Sequence, residues 1–154
     1  MCPDGWEYFG GRCFKKWCKE DGGDKINYKE AQDICTDFSG HLAVPTNSAM
    51  DTWIFNLHKQ FSWIGLSDEE SEGNWIDRNG ETAKYLPWIN GVTNGGTNQN
   101  CAYQHGGAGI WDDGNCKTST MECAVCEHQC PAGQELIEGV CKGIVSLTDI
   151  FYLV

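Results

Sequence analysis

Along the first dozen residues, short aromatic stretches (Trp6, Tyr8, Phe9) alternate with Gly5 and the pair Gly10-Gly11, which predicts a two-strand hairpin pinned by its own cysteines. Residues 14–19 continue as a strand, and the polar, Gly-rich stretch 19–25 reads as a loop. The spacing then turns helical. Asn27 followed by Glu30 is a capping-box pattern, and Tyr28, Ala31, Cys35 and Phe38 recur at steps of three and four to give one apolar face. Gly40 is the expected stop. A second helix is expected from Asn47 or Ser48, with Met50, Trp53, Ile54 and Leu57 as its stripe and Lys59 at its C-terminal end. Beyond Phe61 the period shortens. Trp63-Ile64-Gly65-Leu66 reads as a buried strand, residues 67–73 as an acidic loop, and Trp75-Ile76 as the start of a further strand. Residues 87–100, rich in Gly and Asn, have almost no periodicity, and a loop that long inside one domain is usually functional. Residues 101–104 and 110–112 predict a hairpin, and 123–127 a closing strand.

Charge narrows the function. Eleven Lys and Arg against 22 Asp and Glu leave a net charge of −11, and no basic cluster offsets it. Such a surface repels nucleic-acid phosphates and anionic membranes. No apolar run approaches the ~20 residues that a spanning helix needs. The ten cysteines change the picture more. Cys123 and Cys126 form a C-x-x-C with His128 and Cys130 nearby, but no second such pair exists, and the rest are strung along the chain. Disulfides in an oxidising compartment are therefore expected over a zinc cluster. The N-terminus shows no signal peptide, and Met1 before Cys2-Pro3 reads as a start placed on a mature secreted chain. No Asn-x-Ser/Thr sequon is present.

Length fits one domain, residues 2–128, with an appendage at 129–154. That appendage has its own signature. Cys130, Pro131, Gly133, Glu135, Gly139 and Cys141 repeat the spacing of Cys2, Pro3, Gly5, Glu7, Gly11 and Cys13 position for position. Two readings stay open: two hairpins with convergent chemistry, or the start of a second copy of the same domain. Residues 144–154 are apolar and call for a partner surface, with dimerisation through the tail as one use.

The residues resemble the C-type lectin-like domain family over 2–128. The resemblance is carried by Tyr28-x-x-Ala31-x-x-x-Cys35, Gly40-His41-Leu42-Ala43, Trp63-Ile64-Gly65-Leu66, Gly73-Asn74-Trp75, Trp88, Cys101, Trp111-Asp112-Asp113, Cys116 and Ala124-Val125-Cys126-Glu127. It implies an α+β fold, two helices flanking two small antiparallel sheets, with a long loop emerging from the second. It also implies bridges Cys35–Cys126, Cys101–Cys116 and, in the long form with an N-terminal hairpin, Cys2–Cys13. Spacing alone does not fix connectivity. The simplest pairing of the remainder is Cys130–Cys141 within the tail and Cys18–Cys123 between first and last strands.

In sugar-binding members of that family, calcium sits on the long loop and the following strand, and the sugar's vicinal hydroxyls complete its sphere of hard oxygens. The family's Glu-Pro-Asn or Gln-Pro-Asp triplet is Val92-Thr93-Asn94 here, so two of three positions are lost. Gln99 replaces the acid expected before Cys101, with Asn100 following. Asn94, Gln99, Asp112 and Asp113 remain as oxygen donors for ligand and metal, and Asp68 and Glu72 remain at the auxiliary calcium position. With few anions, a millimolar-class site is the expectation. Zinc on His105 with Asp112 or Asp113 is the second metal reading. The same residues also read blandly: Asp112-Asp113-Gly114-Asn115 as a turn, Asp68-Glu69-Glu70 as a solvated face, and Trp88 as a core anchor rather than a sugar-stacking platform.

An enzyme is not expected. The cysteines are committed to bridges, no Ser/His/Asp arrangement is visible, and adjacent carboxylates Asp112 and Asp113 point to opposite faces of a strand. The function expected is a secreted module binding microbial or cell-surface glycans, as in innate immunity, with calcium assistance. The alternative is a sugar-independent, protein-binding lectin-like domain.

Overall fold

The computed structural model describes residues 2–130, 132–137 and 140–143. The apolar segment 144–154, with the dimerisation assigned to it, lies outside the described residues, as do Pro131 and Gly139 of the repeat.

Strands β1 (Glu7–Phe9) and β2 (Arg12–Cys18) form the N-terminal hairpin, followed by helix α1 (Tyr28–Asp37), strand β3 (Gly40–Leu42) and helix α2 (Ser48–His58). Strands β4 (Ser62–Ser67), β5 (Cys101–Gln104), β6 (Trp111–Gly114) and β7 (Cys123–His128) complete the lectin-like part. A separate two-stranded hairpin, β8 (Gln134–Ile137) with β9 (Val140–Gly143), follows. Two antiparallel groups are present, as expected: β1-β2-β7 with β3, and β4-β5-β6. They join through a short parallel pairing of β4 with β7 at Ser62↔Cys123 and Trp63↔Ala124. Strand β7 is therefore the hinge of the whole fold.

The helix starts follow the sequence closely. The Asn27 side chain accepts from the Glu30 amide at 3.0 Å, and the Glu30 carboxylate accepts from the Asn27 amide at 2.7 Å. Asn47 caps α2 by accepting from the Met50 amide at 2.9 Å. The first helix stops earlier than expected: Phe38 is its cap and Ser39, not Gly40, adopts the left-handed conformation at φ 61°. Gly40 serves a different need, because a Cβ there would meet the Glu127 carbonyl at 2.4 Å. Gly65 is likewise bare because its Cβ would lie 2.4 Å from the Leu42 carbonyl. These close approaches let β3 lie against β7 and β4 against β3. The strand expected at Trp75-Ile76 does not form. Ile76 makes only isolated bridges to Ser67 and Thr82, because Asp77 Oδ1 draws the chain into a turn by accepting from the Asn79 and Glu81 amides at 2.8 and 3.0 Å.

The core has three clusters. Tyr28, Ala31 and Cys35 pack with Trp63 and Cys126; Met50 and Ile54 pack with Phe14 and Val125; Ile64, Leu66 and Trp75 pack with Ala102 and Trp111. Burying each large side chain contributes about 1.5–3 kcal/mol. All ten cysteines are paired, as Cys2–Cys13, Cys18–Cys123, Cys35–Cys126, Cys101–Cys116 and Cys130–Cys141.

Candidate functional site

The long loop leaves the core at Pro87, whose carbonyl accepts from the Trp111 amide at 2.9 Å. Trp88 is its footing. The indole lies 4.7 Å from that of Trp75 and 6.0 Å from that of Trp111, so it anchors the loop base rather than standing free for a sugar face. Two short 3-10 turns, Ile89–Gly91 and Gly96–Asn98, shape the loop. Gly95 admits no side chain, since a Cβ there would overlap Gln99 at 2.2 Å from its Cβ. Val92, at the position that lost its oxygen ligand, is 66% exposed.

Strand β6 places the adjacent carboxylates on opposite faces, as its pleat requires. Asp113 is buried and works as a clamp: its two oxygens accept from the Asn94 amide at 3.2 Å and the Gly95 amide at 2.9 Å. Asp112 is half-buried and accepts from the Tyr103 hydroxyl at 3.2 Å and the Asp113 amide at 3.0 Å. Burial, then the charge of Asp112 and its hydrogen bond, push the Tyr103 phenol far above its ordinary value, so Tyr103 stays a donor. Asn94 is exposed and Gln99 half-buried beside it. Asn94, Gln99 and Asp113 are thus gathered at the loop, with Asp113 turned inward to hold its backbone, while Asp112 faces Tyr103 on the other side of the strand.

A second constellation lies beneath. Asp68 is 2% exposed, and its Oδ2 accepts from the Gly73 amide at 2.8 Å. Its Oδ1 is buried with no hydrogen-bond partner, and so is Asn100 Oδ1. The two residues adjoin through the Asp68 amide, which donates to the Asn100 carbonyl at 3.2 Å. Glu72 is exposed close by. Local desolvation, then the charges of Asp68 and Asp113, raise its carboxyl above the usual range. An unpaired buried oxygen costs about 1–3 kcal/mol, more on an anion. Two such oxygens beside crowded carboxylates are the donor chemistry a hard divalent cation uses, so the residues present fit calcium here. Asn100 is the member that ligand-set reasoning on the sequence left out. Its only signal was its place after Gln99 at the loop's end. Among the described residues, a third buried oxygen without a partner, Glu122 Oε2, belongs to a carboxylate already paired with Lys25 at 2.6 Å.

Zinc finds less support. The His105 ring packs on Phe61 and Tyr103 at 4.8 and 5.8 Å between centroids. Among the described residues, the His, Cys, Asp and Glu groups close enough to share an ion are His128–Cys130–Cys141 and Glu69–Cys101–Cys116. In both, every cysteine is in a disulfide.

A buried network supports the loop from the other side. Asp51, fully buried on α2, accepts from Gln104 Nε2 at 2.5 Å, Trp111 Nε1 at 2.8 Å, the Gly109 amide at 2.6 Å and the Tyr85 hydroxyl at 3.2 Å. Desolvation, with the Asp51 charge and hydrogen bond, pushes the Tyr85 phenol up to about 12. His58 extends the network, with Nε2 at 2.6 Å from Gln104 Oε1 and Nδ1 accepting from the Gln60 amide at 3.1 Å. The hidden signal was a polar position, Asp51 to His58, running alongside the apolar stripe of α2.

Comparison with known proteins gives a consistent picture. The lectin C-type domain profile matches residues 24–128. The low affinity immunoglobulin epsilon Fc receptor of Mus musculus is 30% identical over 132 residues, covering 83% of this chain and 37% of the receptor. The hepatic lectin of Gallus gallus is 31% identical over 131 residues, covering 82% of this chain and 59% of that lectin. The chain thus spans between about a third and three fifths of these relatives' lengths. Among solved structures, the cow C-type carbohydrate-recognition domain of CD23, determined in the presence of GlcNAc2Man3 oligosaccharide, aligns with TM-score 0.73 at 25% identity, over 86% of this chain and 98% of that one. The mouse scavenger receptor C-type lectin carbohydrate-recognition domain aligns with TM-score 0.69 at 27% identity, over 84% and 98%. On the profile match and these relatives together, the chain belongs to the C-type lectin domain family, a non-enzymatic family of carbohydrate-recognition domains.

Proposed function

We propose that this domain recognises glycans, microbial or cell-surface, with a calcium ion bracing the long loop. The observation that carries the reading is the pair of buried, unpartnered oxygens, Asp68 Oδ1 and Asn100 Oδ1, on residues joined by a backbone hydrogen bond, with the Glu72 carboxylate feeling the Asp68 charge. Asp68, Glu72 and Asn100 would hold the ion. When bound, calcium supplies the positive charge that neutralises the crowded carboxylates and the hard coordination that hydroxyl oxygens also accept. Asn100 ends the long loop, so a cation there would fix the loop end relative to the 68–73 turn. Asn94, Gln99 and Asp112 then offer hydrogen-bond groups to sugar hydroxyls, while Asp113 keeps the loop backbone in place. The cow CD23 domain solved with an oligosaccharide and the chicken hepatic lectin support a sugar ligand. Five disulfides suit an extracellular location, and no helix among the described residues is long and apolar enough to cross a membrane.

A screen of mannose-, galactose-, glucose-type and acidic glycans, run with calcium and with chelator, tests this. At least one specific binder is expected, weakened by chelator and by Asn94→Ala or Asp112→Ala. A second reading, recognition of a protein, is favoured by Val92 standing exposed where the oxygen ligand is lost. Silence across the glycan screen, with protein binding that free sugars fail to compete, would establish it instead.

A further inference from the structure

The hairpin β8–β9 is a structural copy of β1–β2. Cys2 and Cys13 map onto Cys130 and Cys141 at one offset of 128 (130 − 2, and 141 − 13). At that offset the strand registers coincide. Glu7↔Phe14, Tyr8↔Cys13 and Phe9↔Arg12 become Glu135↔Lys142, Leu136↔Cys141 and Ile137↔Val140. The same turn glycine takes the same left-handed backbone, Gly5 and Gly133 both at φ 80°. Shared bridge, register and backbone exceed what two hairpins need in order to form, which weighs against convergence.

The surroundings differ. In the first copy Phe9 stacks on Trp53 at 5.0 Å, Arg12 pairs with Glu127, and Cys13 and Phe14 are wholly buried. Their coverage comes from β7 and α2, with β2 paired to β7 from Phe14 onward. In the second copy Ile137 and Val140, at the Phe9 and Arg12 positions, are 37% and 42% exposed, and Lys142 at the Phe14 position is exposed. Among the described residues β9 pairs only with β8. The β7 already present cannot serve it, being bonded to β2 on one side and to β3 and β4 on the other.

We propose that β8–β9 opens a second lectin-like unit of the same polypeptide, and that the apolar pair Ile137 and Val140 and the edge of β9 left unpaired among the described residues seat that unit's own closing strand and second helix. Lys142 in place of Phe14 means the second unit fills that core position with a different side chain. Cys141 Sγ, 3.7 Å from His128 Nδ1, keeps the new hairpin beside the end of the first unit. The inference stands apart from any ligand, since a repeat of the fold carries no commitment to sugar.

Reading the coding transcript past the codon for residue 154 tests it. The expected result is an open frame with a capped amphipathic helix carrying a cysteine about one offset beyond Cys35, and a closing strand with a cysteine about one offset beyond Cys126. A stop codon, or a continuation without that helix and strand, overturns the proposal. Amide hydrogen exchange adds a physical readout. The β9 amides not bonded to β8 should exchange at least tenfold more slowly in the extended protein than in the 154-residue chain. Equal exchange in the two would overturn the seating of β9 even where the sequence repeats.

Discussion

Asp51 shows how a single buried charge can be stabilised by geometry alone. Four donors from three separate segments converge on its two oxygens. Removing the carboxylate would leave the Trp111 indole and the Gly109 amide without their acceptor in the core, while Gln104 Nε2 would keep only its 3.2 Å bond to the Asp51 carbonyl. Each stranded donor costs about 1–3 kcal/mol. Asp51→Ala is therefore expected to destabilise the domain by about 3–5 kcal/mol, whereas Leu or Ile changes at exposed loop positions should stay within about 0.5 kcal/mol. Urea unfolding of the two classes checks this. A loss below about 1 kcal/mol for Asp51→Ala would mean the network is not formed. Asp113 has a narrower role, since its acceptors serve the loop backbone: Asp113→Ala should loosen residues 94–95, read as faster amide exchange there, with a smaller global loss.

At the scale of elements, α2 is tied to β5 through His58 and Gln104. Burial, the leading cause, lowers the His58 pKa, and the nearby Lys16 ammonium adds to it; hydrogen bonds to Gln104 and Gln60 and the Asp51 charge oppose without cancelling. The neutral ring is also the one the geometry wants, because protonating Nδ1 would forfeit the Gln60 amide bond. The unfolded chain takes up a proton near pH 6.5, while the folded chain resists until a lower pH. Stability is then full above about pH 6.5 and falls as pH drops towards the lowered folded value. His128, lowered mainly by desolvation and then by His41, acts in the same direction. Melting temperature followed from pH 7.5 to 5 should fall more steeply for the wild type than for His58→Gln; parallel curves would remove His58 from the account. None of this was legible in the sequence. The capping residues Asn27 and Glu30 act within one helical turn, so their pattern predicts them. Asp51 and His58 find partners about fifty residues away, which no local period encodes. The Trp75-Ile76 strand failed for the opposite reason: a strong local pattern was overruled by the Asp77 turn. Family resemblance singled out Asn94, Gln99, Asp112 and Asp113 as candidate donors, but the inward turn of Asp113 and the orphaned oxygen of Asn100 exist only once the chain is folded.

Across the whole molecule, strand β7 carries two long-range bridges, Cys18–Cys123 and Cys35–Cys126, with sequence separations of 105 and 91. Each alone would close a loop worth about 4–5 kcal/mol of denatured-state entropy. With one intact, however, the other closes an effective ring of only about 20 residues, worth about 3 kcal/mol. Replacing Cys18 and Cys123 by Ala should therefore cost about 3 kcal/mol, and removing both bridges should cost more than twice as much. Strictly additive losses would argue that the bridges act through the native state instead. The rest of the architecture, from the buried footing of Trp88 to the Asp113 clamp, converges on one loop and on the cation site proposed at its end. The decisive measurement is the melting temperature of wild type and Asp68→Asn, titrated with calcium to ten millimolar and returned to chelator. A site of millimolar affinity should raise stability by about 1.4 kcal/mol, or about 3–6 °C, at that concentration. The account predicts that rise in the wild type, its reversal by chelator, and its absence in Asp68→Asn. A wild type indifferent to calcium, or a variant that responds equally, would contradict the claim that Asp68, Glu72 and Asn100 form a calcium site that braces the recognition loop.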